Sequence, residues 1–139
     1  IATARRGARR DDAGLDAGRI ALQEAEGGAI GPASVPSALE WFARLRSGTI
    51  EARVLVETTP LDIRSGEPAI SHVRAAIAGG AHVITANKGP AAFAWRALTR
   101  EADAAGVSLL LDGAVMDGIP IFSHVRETLP AVTIDGSSQ

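Results

Sequence analysis

The sequence predicts an α/β fold: a mostly parallel sheet, doubly wound, with helices over both faces. Three observations predict it. Short apolar runs at Val54-Leu55-Val56, His82-Val83-Ile84-Thr85 and Val107 to Leu111 alternate with stretches of helical periodicity. Gly and Pro punctuate nearly every junction between them. The chain has 4% aromatic residues and no tyrosine, so its core must come mainly from Ala, Val, Leu and Ile, which suits short buried strands.

Taken in order, Ile1-Ala2-Thr3-Ala4 reads as the end of a strand. A charged loop from Arg5 to Asp12, hinged at Gly7, follows. A short helix is expected from Leu15 to Ala25, then a turn-rich stretch at Gly27-Gly28 and Gly31-Pro32. Ser37 is placed to cap a helix through Trp41, Phe42 and Leu45, with Glu40 completing a capping box. Arg53 to Glu57 is the next strand, expected to be buried on both faces, and Thr58-Thr59-Pro60 breaks it. Glu67-Pro68 opens a helix through Ile77 that Gly79-Gly80 stops. After the strand at His82 to Thr85, a helix is predicted from Pro90 to Ala105, ended by Gly106. Val107 to Leu111 is a strand, Pro120 to Leu129 a helix, and Val132 to Ile134 a last strand-like run. Trp41 and Trp95 fall on apolar helical faces and read as core.

Composition excludes several classes. With 46% hydrophobic and 22% charged residues over 139 positions, the chain is globular, without repeat or low-complexity linker, and is read as one domain. A net charge of -2 supplies no overall attraction to nucleic acid. Zero cysteines exclude a disulfide framework, a thiolate metal site and a cysteine nucleophile. No apolar run approaches the roughly 20 residues that span a bilayer, and no signal-peptide pattern opens the chain. These features favour a soluble, cytoplasmic protein with neither a nucleic-acid nor a membrane partner. The start at Ile1 and the stop at Gln139, each beside a strand-like run, read as the ends of a fragment.

Ligands of open parallel sheets gather at the carboxyl ends of the strands. Three segments fall there: Glu57 to Pro60, Thr85 to Pro90, and Asp112 to Pro120. Each also reads as an ordinary strand-to-helix loop. In the second, Lys88 stands at the start of a helix, where the dipole disfavours a cation. A nearby anion or a chemical task for the ammonium would account for it; a solvated surface lysine is the alternative. In the third, Asp112 and Asp117 share a glycine-rich loop able to turn oxygen ligands toward a hard cation; two solvated carboxylates are the alternative. Arg5 and Arg6 follow the first strand, where a dinucleotide fold meets the adenosine ribose. Thr3 stands roughly where an acid for NAD is expected, so the arginines lean toward the 2′-phosphate of NADP; a solvated cluster balanced by Asp11 and Asp12 is the alternative. His72, His82 and His124 show no metal-ligand spacing, and no nucleophile elbow, Walker loop or His-Glu-x-x-His helix is present.

Together, Val54-Leu55-Val56-Glu57-Thr58-Thr59-Pro60, His82-Val83-Ile84-Thr85-Ala86-Asn87-Lys88-Gly89-Pro90 and Ala114-Val115-Met116-Asp117-Gly118-Ile119-Pro120-Ile121-Phe122 resemble the homoserine dehydrogenase family. The match is good from Val54 to Leu129 and loose before it. The resemblance implies a Rossmann-like fold, with residues 1–139 a single partial dinucleotide-binding domain. It implies the NAD(P)-dependent interconversion of L-homoserine and L-aspartate 4-semialdehyde, a step toward threonine and methionine. It places Thr58, Thr59, Pro60, Asn87, Lys88, Arg5 and Arg6 at the cofactor, with Lys88 the catalytic residue beside the nicotinamide and the reacting hydroxyl. It also implies a monovalent cation, usually sodium, held by the carbonyls of Val115, Asp117 and Ile119, with the Asp112 side chain as a fourth ligand where the family more often has Glu. A homodimer is implied by analogy. The family's glycine-rich pyrophosphate turn and its substrate domain are missing here, so the chain by itself is expected to be inactive. A non-catalytic nucleotide-binding or regulatory module is the competing expectation.

Overall fold

The computed structural model describes residues 1–3, 5–11, 13–31, 52–115 and 119–129. The expected helix from Ser37, the core position of Trp41, the site residue Asp117 and the strand-like run at Val132 lie outside them. The chain divides into two compact units, Ile1–Thr49 and Ile50–Gln139.

In the first unit, β1 (Ala2–Thr3) pairs antiparallel with β2 (Gly7–Ala8), in the register Ala2↔Ala8 and Thr3↔Gly7. The expected charged loop is therefore a hairpin. The Thr3 hydroxyl closes the turn, accepting from the Arg6 N–H at 3.0 Å and donating to the Gly7 carbonyl at 3.1 Å. Gly7 takes φ 83°, a conformation glycine adopts without steric cost. Helix α1 (Ala17–Ala25) is capped by the Asp16 carboxylate, which accepts from Arg19 N–H. Ile20 of α1, Ile30 and Ala8 form the buried apolar side of this unit.

The second unit is a three-stranded parallel sheet in the order β3 (Val54–Glu57), β4 (His82–Thr85), β5 (Leu109–Leu110). Val54 lies beside His82, Glu57 beside Thr85, and Val83 beside Leu109. Helix α2 (Ala69–Ala78) connects β3 to β4, and α3 (Lys88–Ala105) connects β4 to β5. Their inner faces supply the core: Val73, Ala76 and Ile77 from α2, and Leu98 and Ala102 from α3, against Val83. Val73, Val83 and Leu98 are fully buried.

Strand side chains alternate between faces, and only one face carries helices among the described residues. Leu55 and Leu109 pack on the core, whereas Val54 is 55% and Val56 64% exposed. The expectation that Val54-Leu55-Val56 is buried on both faces is corrected accordingly. The physical reason is winding. Successive crossovers of one hand, moving in one direction along the sheet, lay both helices on the same side.

Helix α3 begins two residues before Pro90. Asn87 in extended conformation caps it, and Pro90 sits in the first turn, where a missing N–H costs no intrahelical bond. Gly106 ends it in the left-handed conformation, φ 66°, as expected. Trp95 is 40% exposed and is not core: with Leu98 and Ala102 facing the sheet, its ring lies at the rim, beside Leu109, Leu110 and Val125. After β5 the chain forms a short helix α4 (Asp112–Val115), where the sequence predicts a glycine-rich loop, and then α5 (Ile121–Thr128). No helix among the described residues is long and apolar enough to cross a membrane.

Candidate functional site

Parallel register places the ends of β3 and β4 side by side, so Glu57 and Thr85 are neighbours where the sheet gives way to loops. Both are buried: Glu57 is 2% and Thr85 1% exposed. The Glu57 carboxylate accepts from three donors. Its Oε1 takes the Thr59 N–H at 2.8 Å and the Thr59 hydroxyl at 2.5 Å; its Oε2 takes the Thr85 hydroxyl at 2.8 Å. Thr85 Oγ1 in turn accepts from Asn87 N–H at 3.0 Å.

Asn87 closes the circuit. Its Oδ1 accepts from Gly89 N–H at 2.9 Å, which caps α3, and its Nδ2 donates to the Thr59 carbonyl at 2.9 Å. Asn87 is 5% exposed, and both ends of its side-chain amide are engaged inside the protein. The first two predicted loops are thus one hydrogen-bonded assembly. Thr59 and Asn87 belong to its framework, while Thr58, Pro60 and Lys88 lie exposed upon it. Lys88 is the first residue of α3, and its side chain makes no hydrogen bond or ion pair with a described residue.

The third loop abuts the second: a Cβ on Gly113 would sit 4.0 Å from that of Ala86. Asp112 is half-buried, and its two oxygens take the Ser123 N–H at 3.1 Å and the Ser123 hydroxyl at 2.5 Å, tying α4 to α5. Val115 and Ile119 are exposed, and the Ile119 carbonyl accepts from Ile121 N–H at 2.8 Å. Among the described residues no cluster of three or more His, Asp or Glu side chains is arranged for a metal; the expected cation ligands are mostly carbonyls, which such a cluster would not include.

In the other unit, Arg5 is exposed in the hairpin turn, and the half-buried Arg6 donates through its guanidinium to the Glu24 carbonyl. His82 has a structural task, its Nδ1 accepting from Ser108 N–H at 3.0 Å. The residues that sequence reasoning missed are Glu57 as a buried acceptor and Thr85 as its relay. The available signal was a lone acid ending an apolar strand, with a hydroxyl at the same position of the next strand.

The crystal structure of a homoserine dehydrogenase from Thermoplasma acidophilum superposes with a TM-score of 0.68 and 25% identity, over 84% of this chain and 34% of that one. Homoserine dehydrogenase from Methanocaldococcus jannaschii is 38% identical over 80 residues, 58% of this chain and 24% of its own length. The NAD(+)-dependent homoserine dehydrogenase of Pseudomonas canavaninivorans is 34% identical over 134 residues, 88% of this chain and 35% of its own. These relatives of the chain are homoserine dehydrogenases by name. No protein-family profile matches the chain. Beside these homoserine dehydrogenases the chain spans about a quarter to a third of the length. The parallel sheet and its crossover helices are the Rossmann-like arrangement expected from the sequence.

Proposed function

We propose that the chain is part of the nucleotide-binding domain of a homoserine dehydrogenase, interconverting L-homoserine and L-aspartate 4-semialdehyde with NAD or NADP. The observation that carries this reading is the exposed Lys88, set at the carboxyl end of the parallel sheet beside the Thr59 loop and fixed there by the Asn87 cap. The surroundings fit a nicotinamide cofactor. Backbone groups of Thr59, Ala86, Asn87 and Gly89 are held internally, while Thr58, Pro60 and Lys88 present an open edge of the kind dinucleotides occupy. When bound, the nicotinamide supplies the hydride chemistry. The Lys88 ammonium holds the substrate oxygen and takes part in moving its proton. Arg5 and Arg6 favour the 2′-phosphate of NADP; the Pseudomonas relative is named as NAD(+)-dependent.

The same reading assigns a monovalent cation to the carbonyls of Val115, Asp117 and Ile119. This oxygen donor set suits a hard ion. Asp112, whose two oxygens take the Ser123 N–H and hydroxyl, is the fourth ligand of that reading. A cytoplasmic homodimer acting on a small molecule completes the proposal.

The test is turnover by the full-length protein that carries this sequence, with L-homoserine and NAD or NADP, in sodium, potassium and cation-free buffer. Homoserine-dependent reduction of either coenzyme is expected. Coenzyme binding without homoserine turnover would favour a non-catalytic nucleotide-binding module instead.

A further inference from the structure

We infer that Glu57 is a positioning residue for Lys88, acting through Thr85 and Asn87; the inference rests on the catalytic reading of Lys88 given above. Glu57 is buried and faces only donors: the Thr59 N–H, the Thr59 hydroxyl and the Thr85 hydroxyl. A hydroxyl has one proton to give. Because Thr85 gives its proton to Glu57, its oxygen is oriented to receive the Asn87 N–H. Asn87 then has both ends of its amide committed, one to the α3 cap and one to the Thr59 carbonyl. Direction therefore runs one way along the chain of bonds, from the carboxylate to the residue next to Lys88. A buried carboxylate is costly to desolvate, and this one has no ion-pair partner within reach of its oxygens among the described residues. Its donors offset that cost, and what the arrangement secures is the relative placement of two loops that carry the exposed Thr58, Pro60 and Lys88.

The isosteric Glu57→Gln isolates this role. A glutamine can still accept from Thr59 with its oxygen, but its NH2 group presents donors to Thr85, whose hydroxyl proton then lacks an acceptor. Thr85→Val removes the relay at nearly constant volume, and Thr85→Ser restores the hydroxyl.

The experiment uses the full-length protein that carries this sequence, with two readouts. In steady-state kinetics, E57Q and T85V should each lower kcat by about 10- to 100-fold, the scale expected of a misplaced catalytic group, with smaller changes in KM for the coenzyme. T85S should recover most of the loss. In a Lys88→Ala background, E57Q should cost nothing further, because its effect passes through the missing amino group. In amide hydrogen exchange, E57Q and T85V should speed exchange at Gly89, whose N–H bonds Asn87 rather than either mutated residue, while Val83 in the core stays protected. Unchanged Gly89 exchange, or losses from E57Q and K88A that multiply, would overturn the inference. If K88A kept full turnover, the catalytic reading of Lys88 would fall, and the exchange data alone would still decide whether Glu57 holds the loops.

Discussion

Gly66 and Gly89 meet backbone to backbone: a Cβ built on Gly89 would lie 2.7 Å from the Gly66 Cα and 3.0 Å from the Gly66 carbonyl oxygen. Gly66 has φ 74°, and its own Cβ would stand 2.8 Å from Ile70 Cδ1 and 3.2 Å from the Gly89 carbonyl carbon. The loop before α2 thus presses on the first turn of α3, next to Lys88.

Gly89→Ala should therefore act on the site and not only on stability. The neighbouring atoms are backbone and cannot rotate away, so the start of α3 must move. A destabilisation of about 1–3 kcal/mol is expected in denaturant melts, together with a fall in turnover. A G89A protein with parental stability and parental kinetics would show that the close approach is unimportant.

Leu98→Ala tests the core without touching the loops. Leu98 is fully buried among Val73, Val83 and Ala102, and its removal leaves a cavity between α3 and the sheet. The expected loss is about 2–5 kcal/mol, measured by urea unfolding, with coenzyme KM little changed under conditions where the protein remains folded. A loss well below that range would mean that the two helices collapse readily onto the sheet.

Asp62 supplies a pH test. The Ser65 hydroxyl at 2.5 Å and the Arg64 N–H at 3.0 Å hold its carboxyl below the usual aspartate range. A depressed folded-state pKa adds stability that is present above the ordinary aspartate pKa and is lost as pH falls through the folded value. Asp62→Asn should therefore flatten the acid limb of the stability profile and leave its slope near neutral pH unchanged. An identical acid limb in both proteins would contradict the assignment.

Much of this architecture was legible in the residues. His82 to Thr85 reads as a strand and forms one, because an apolar β-branched run between glycine turns has few other options. Gly79 and Gly106 stop the helices that they were expected to stop. Pro90 suggests a helix start two residues later than the true one, since the cap comes from Asn87 and proline is equally at home inside the first turn. Trp95 misled because helical periodicity shows an apolar stripe but not which part of it the sheet covers. The Thr3 to Gly7 hairpin was hidden by its arginines, whose charge says loop while Thr3 and Gly7 supply the turn chemistry. In the candidate site, Lys88, Asn87 and Thr59 stood out by position. Glu57 and Thr85 did not, since their meaning depends on a parallel register that only the fold provides.

The most direct measurement is the kinetics of Lys88→Ala in the full-length protein that carries this sequence, alongside its coenzyme affinity by direct titration. Removing a group that holds the reacting oxygen should lower kcat with L-homoserine by at least about 100-fold, while the coenzyme dissociation constant changes by only a few fold. Parental kcat in K88A, or a loss accounted for entirely by weakened coenzyme binding, would contradict the assignment of Lys88 to the chemical step.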